Sequence, residues 1–557
     1  MNPQGWVRVR RAGVRWDVRE GRECELPDLS GAIWPPPGTT AVTEKKTRTV
    51  WRIPGANGRP ALYLKRFRGG LCGDSVKALI FGTLARLERD RLLSVESLGL
   101  RAAVPVATGE RGGVCGIGAE TFLLTEEVAN AVSLKERLAV ADASEREALR
   151  RGFVRMLKTL ADAGFVHMDP HPDNILVARP DGASPASLVL FDLGPGRFLR
   201  FRPRGMFPAP VLRMLAWAAE VYRRHLSPAD RWASLSEFYA REIAEAPAKD
   251  RRRLLWRLAR TVARLSREAR SAHIEKRAGR VLRSGSDFVR EKRPGFRIFR
   301  RREYPAEAIL EAVRRHEAAP AEGAAVLKDT HRTRVTRVPG APPLPREVLV
   351  KEKKLPGSLR RSLFYFFSYS PRLVAWVNSR RLELHGVAVP RSIGYVRTAS
   401  LSTGRPRQYI LEEFLAAEAA DAFAHRTLRG ARGTPAGRRS FLEAMGRYLR
   451  FLHDEGIFHL DLKGSNFLVE QGADGSWKFF LIDVGRVEFG PLSCAMRAFN
   501  IGQVYASFLG LFSRTEFLRG FKAYWRGDER SDAARDFLIE AICVQRGRGS
   551  AYLAIPE

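Results

Sequence analysis

A His-x-Asp-x-x-x-x-Asn run occurs twice in this chain, and each copy leads into an apolar, strand-like segment that ends in aspartate. The first copy runs His167-Met168-Asp169-Pro170-His171-Pro172-Asp173-Asn174 and then Leu188-Val189-Leu190-Phe191-Asp192. The second runs His459-Leu460-Asp461-Leu462-Lys463-Gly464-Ser465-Asn466 and then Phe479-Phe480-Leu481-Ile482-Asp483. An isolated match would be a turn, because Asp and Asn in loops bond their own backbone. The recurrence carries its flanks with it: a helical pattern before, Asn-Ile-Leu-Val or Asn-Phe-Leu-Val after, and Asp-x-Gly at the end. A doubled constellation of this kind constrains the chain to two related domains.

The spacing suits phosphoryl transfer. Magnesium brought in by a nucleotide takes hard oxygen ligands and keeps several waters, so one carboxylate and one amide suffice on the protein side. Asn174 with Asp192, and Asn466 with Asp483, fit that role. Asp169 and Asp461 stand clear of the metal, where each orients an acceptor hydroxyl and takes its proton. The loop lysine Lys463 adds positive charge beside the transferring group in the second copy, where the first has His171.

The brace under each loop is legible too. Ser144 and Glu147 have capping-box spacing, after which Leu149, Phe153, Met156, Leu157 and Leu160 recur at helical intervals up to Gly164. Leu442, Met445, Leu449 and Leu452 repeat the pattern up to Gly456. These stripes are core rather than site.

Upstream, Thr49–Gly55 matches Arg334–Gly340, and Gly5–Arg11 resembles Gly295–Arg301, which sets the expected domains at 1–285 and 286–557. A nucleotide lobe needs a strand lysine held by a helix glutamate. Lys65 on Ala61–Phe67 is the first candidate, with Glu88 as partner on a helix expected over Val76–Ser97. In the second domain Lys351 takes the role, with Lys353 one pleat away on the same face. The glutamate position there holds Ala375, so the pair is expected to be missing. Neither domain has a G-x-G-x-x-G loop. Pro54–Gly58 and Pro339–Pro343 are expected between the first two strands, with Lys45, Lys46 and Arg48, and His331, Arg332 and Arg334, as nearby cations.

The segments Phe458–Val469 and Leu481–Val487 resemble the bacterial lipopolysaccharide core kinases, which phosphorylate Kdo or heptose sugars; Phe122–Glu127, Tyr409–Phe414 and the Ala375-Trp376 helix leading to Gly386 are similar as well. The resemblance covers most of both domains, though its motifs belong to the wider protein-kinase-like superfamily. It implies an α+β fold of two tandem bilobal domains, use of ATP and Mg2+, and an anionic glycolipid as acceptor. Asp169-Pro170-His171-Pro172 also looks like the loop of the ubiquinone-biosynthesis atypical kinases, so a protein or small-molecule kinase stays open, as does a nucleotide-binding scaffold without catalysis.

Composition agrees with a polyanionic partner. Ninety-five Lys and Arg against 61 Asp and Glu give a net charge of +34, which attracts an anionic membrane surface. No zinc-ligand cluster, RNA-binding aromatic signature or basic heptad region points to nucleic acid. No run reaches the roughly twenty apolar residues of a membrane span, and the first residues lack the apolar core of a signal peptide, so a cytoplasmic, peripheral enzyme is expected. Five cysteines without a C-x-x-C pair argue against a disulfide framework and are expected to be buried thiols. The aromatic run Leu363–Tyr369 and the basic-apolar stretch Arg251–Arg293 are read as core and as the solvated side of a helix pair. Membrane contact is the alternative for both.

Overall fold

The computed structural model describes residues 5–29, 38–44, 48–55, 58–68, 82–112, 120–178, 187–194, 196–199, 208–223, 225–322, 325–354, 371–398, 407–429, 433–525 and 531–552. Lys45, Lys46 and the aromatic run Leu363–Tyr369 lie outside them. The chain forms two compact units, Met1–Ser271 and Ala272–Glu557.

Each unit opens with a seven-stranded antiparallel sheet, and the two sheets have the same strand order. In the first unit the order is Trp6–Arg11, Val14–Arg19, Pro105–Arg111, Glu120–Glu126, Leu62–Phe67, Arg48–Ile53, Thr40–Glu44. In the second it is Phe288–Arg293, Phe296–Arg301, Ser392–Thr398, Arg407–Glu413, Glu347–Lys354, Thr333–Pro339, Val326–Asp329. Alternation of buried and solvated residues drives this pairing: Val14, Trp16, Val18, Leu64, Phe122 and Leu124 fill one core, and Ile298, Val348, Val350, Tyr409 and Leu411 fill the other.

The common order corrects two sequence expectations. Gly295 opens the second strand of its hairpin and therefore matches Gly13, not Gly5; both glycines have positive φ, +75° and +71°. In the first unit both hairpin strands alternate charged with apolar residues, Val7-Arg8-Val9-Arg10 and Val14-Arg15-Trp16-Asp17-Val18-Arg19, so a slip by one strand leaves the sequence pattern almost intact. Pro54–Gly58 and Pro339–Pro343 follow the strands Arg48–Ile53 and Thr333–Pro339 and precede Leu62–Phe67 and Glu347–Lys354, so they lie between the fourth and fifth strands of each sheet in chain order, not the first two. In the second unit the turn before Thr333–Pro339 is Thr330–Arg332; residues 45–47 of the first lie outside the described residues.

A helix lies on each sheet. In the first unit it runs Leu84–Glu96, shorter than expected, with Ala85, Glu88, Leu92 and Val95 buried; positions 76–81 lie outside the described residues. In the second it runs Pro371–His385, with Ala375 and Trp376 in the core.

The helical brace Ala143–Asp162 buries Leu149, Phe153, Met156, Leu157 and Leu160, the residues of the predicted stripe. Its cap is Asp142, which accepts from the Glu145 amide at 2.8 Å, two residues before the expected Ser144. Burying each large apolar side chain contributes about 1.5–3 kcal/mol, so the stripe dominates the anchoring of this helix. Pro435–Asp454 repeats the arrangement with Leu442, Met445, Leu449 and Leu452. Arg251–Arg293 is not a helix pair: Ala248–Ala278 is one helix, with Leu255, Leu258 and Val262 buried, and Phe288–Arg293 is a strand. Cys24, Cys494 and Cys543 are free and exposed, against the expectation of burial, because they sit on a short surface turn and on solvent-facing helix positions. Among the described residues no helix is long and apolar enough to cross a membrane.

Candidate functional site

In the first unit the strand Leu62–Phe67 pairs with Glu120–Glu126, setting Lys65 opposite Leu123. The Lys65 Nζ lies 2.6 Å from Glu88 Oε1 and 3.4 Å from Asp192 Oδ1. A strand, a helix and the end of another strand thus meet at one ammonium group. Asp192 also accepts from Arg48 at 2.8 Å. Burial alone would raise the Asp192 carboxyl, but Lys65 and Arg48 outweigh it and hold that group below the usual range. Glu88, 2% exposed, is pushed the other way, by burial first and against the pull of Lys65. One lysine shared by two buried carboxylates cannot fully compensate both.

The loop residues Asp169 and Asn174 come together as their spacing predicts. The Asn174 amide donates to the Asp169 carbonyl at 3.1 Å and to its Oδ2 at 3.3 Å. Oδ1 accepts from the Trp217 indole at 3.1 Å, a contact from helix Ala209–Val221 that no local pattern announces. His171 turns away and accepts from the Asp173 amide at 3.2 Å. His167 is fully buried, and its Nδ1 accepts the Asp169 amide at 3.2 Å. Burial lowers its pKa to about 4, so it stays neutral and keeps that acceptor.

The matching loop of the second unit carries more charge. Lys463 Nζ lies 3.5 Å from Asp461 Oδ2, and the Asn466 amide donates to the Asp461 carbonyl at 2.7 Å. His459 again accepts the Asp461 amide, at 3.1 Å, and burial lowers its pKa. Helix Cys494–Ser507 holds the loop from below: Asn500 donates to the His459 carbonyl at 2.7 Å, Gln503 bonds Leu460 and Leu462, and Ser507 accepts from Gly464 at 2.9 Å. These three polar residues share one face of a largely apolar helix, a stripe that the sequence displays and that local patterns do not single out.

Asp483 differs from its counterpart Asp192. It is exposed, has left-handed backbone at φ +55°, and among the described residues makes no ion pair. The lysine arrangement differs as well. Lys351 sits opposite Ile410, matching Lys65 opposite Leu123. Ala375 leaves the helix without a carboxylate, yet an ion pair does form: Glu412, on the neighbouring strand and 5% exposed, lies 2.6 Å from Lys351. An acid inside the apolar run Tyr409–Leu411 and beyond was the available signal. Strand register also aligns Arg48 with Thr333, so Arg334, which pairs with Asp329 at 3.2 Å, is not its equivalent.

The donor set fits a magnesium nucleotide. Asn466 donates through its nitrogen, which leaves its amide oxygen for a hard cation beside the exposed Asp483 carboxylate. Asn174 has the same disposition, but both Asp192 oxygens are already held by cations.

The lipopolysaccharide kinase (Kdo/WaaP) family matches residues 39–204 and 348–490, together more than half of the chain, with one segment in each unit. A solved structure described as WaaP in complex with acyl carrier protein is 23% identical, over 42% of this chain and 92% of that one, with a TM-score of 0.32. No curated protein matches.

Proposed function

The chain belongs to the lipopolysaccharide kinase (Kdo/WaaP) family, and from that premise we propose that this kinase transfers a phosphoryl group from ATP to a hydroxyl of an inner-core sugar, Kdo or heptose, at an anionic membrane surface. The observation that carries the reading is the repeated loop: Asp169 and Asp461 each sit beside an asparagine amide, within the loop that each unit carries once. In this account Asp461 orients the acceptor hydroxyl and takes its proton, and Lys463 stabilises the charge that develops beside it. Asn466 and Asp483 would hold Mg2+, which supplies charge neutralisation at the phosphates.

The second unit is the stronger transferase in this reading. Its Asp483 carboxylate is open to a metal, and its loop carries a cation beside the acceptor base. Unit one has the complementary strength: Lys65, Glu88 and Asp192 are already assembled for phosphate binding. That triad favours a second reading in which the first unit transfers and the second binds.

Matched Asp169→Ala and Asp461→Ala proteins, assayed for phosphate transfer from ATP to purified core glycolipid, decide between them. Loss with Asp461→Ala alone supports the proposal. Loss with Asp169→Ala alone reverses the ranking, and full activity in both single variants and in the double variant removes the assignment of the two aspartates as catalytic bases.

A further inference from the structure

Four cations of the second unit gather at one end of its lysine strand. Register sets Lys353 opposite both Thr333 and Gln408, next to the turn Thr330–Arg332. That turn brings Arg332. The first turn of helix Pro371–His385 brings Arg372, whose guanidinium donates to the Glu352 carbonyl at 3.5 Å, its one hydrogen bond among the described residues. The turn after Asp483 brings Arg486. The Lys353 ammonium is pushed down by burial and then by Arg372, Arg332 and Arg486, so all three lie near enough to repel it.

Among the described residues, no carboxylate makes an ion pair with any of the four; Glu412 and Asp483 act on Arg372 only from beyond that range. Lys351, unlike the four, has an ion-pair partner. Its partner Glu412 lies two residues along the adjacent strand, away from the Thr330–Arg332 turn. In the first unit the position of Lys353 is Phe67, and by count from the matching glycines and aspartates Arg372 becomes Ala85 and Arg486 becomes Pro195. The cluster is therefore not a general feature of this doubled architecture. Like charges held together in a partly desolvated place repel unless an anion sits among them.

We infer that Lys353, Arg332, Arg372 and Arg486 form a binding site for clustered phosphate groups, and that this site, rather than Lys351, grips the phosphates in the second unit. The phosphates belong to a nucleoside triphosphate or to an already phosphorylated acceptor, which present the same chemistry. Only the nucleotide source rests on the kinase reading.

The test is calorimetric titration of the full chain with inorganic tripolyphosphate, in a Lys65→Ala background that silences the phosphate side of the first unit. Lys353→Gln and Arg372→Gln should each weaken binding tenfold or more, Lys353→Arg should restore it, and Lys351→Gln should stay within threefold. Arg332 and Arg486 are exposed, so Arg332→Gln and Arg486→Gln keep the fold and should also weaken binding, with a shallower salt dependence. Competition by Mg-ATP identifies the nucleotide as the source; simultaneous binding of both identifies the acceptor. Binding that falls more with Lys351→Gln than with Lys353→Gln, or that is unchanged in the two exposed arginine variants, overturns the inference. A protein inactive on glycolipid that still binds tripolyphosphate removes the kinase reading and leaves this site standing.

Discussion

Acidification should destabilise both units through histidines that the fold keeps neutral. His167 and His453 are buried, with pKa lowered from 6.5 to about 4 by loss of solvent. Below about pH 6.5 the unfolded chain takes up protons that the folded units refuse until about pH 4. The unfolded state thus binds more protons across that window, and stability rises with pH. A shift of this size corresponds to about 3 kcal/mol per histidine, fully present at pH 7 and lost by pH 4. His167 belongs to the first unit and His453 to the second, where its Nδ1 lies 2.9 Å from the Tyr524 hydroxyl. Urea unfolding followed between pH 7 and pH 4 should show both transitions moving to lower urea. His167→Gln should flatten the pH dependence of the first unit alone, and His453→Gln that of the second. Because the His167 Nδ1 holds the Asp169 amide, loss of the loop geometry should accompany the loss of stability. Equal pH slopes in wild type and the double variant would refute the argument.

Three further outcomes follow from the site. Asp483→Ala should abolish the magnesium dependence of ATP binding in the second unit, while Asp461→Ala leaves ATP affinity within about threefold and removes turnover, a split read by titration and single-turnover kinetics. Glu88→Gln should weaken nucleotide binding at the first unit by about tenfold, because Lys65 loses its 2.6 Å partner and is left to Asp192; unchanged affinity in a chain with the second unit disabled would count against a role for that triad. Sedimentation with anionic liposomes should fall steeply with salt, since exposed charges are screened over about 8 Å at physiological ionic strength, and binding that ignores salt would point away from the +34 net charge.

The parts of the site written in local spacing were legible before any coordinates. Asp169 and Asn174, Asp461 and Asn466, and the strand-ending Asp192 and Asp483 are short-range patterns, and so are the helical stripes beneath them. Lys65 and Glu88 were legible because a strand and the helix after it are close in sequence. What escaped depends on pairing between distant segments. Glu412 reaches Lys351 only because strand Arg407–Glu413 lies beside Glu347–Lys354, and Trp217 reaches Asp169 from 48 residues away. The hairpin slip has a different origin: the charged-apolar alternation of Trp6–Arg11 recurs in Val14–Arg19, so periodicity alone cannot fix which strand matches which.

The most direct test of the central claim is mass spectrometry of lipid A-core from a deletion strain carrying an empty vector, the wild-type chain or the Asp461→Ala chain. The account predicts that deletion removes one phosphate from the inner core, that the wild-type chain restores it, and that Asp461→Ala does not. An unchanged phosphate count in the deletion strain would contradict it.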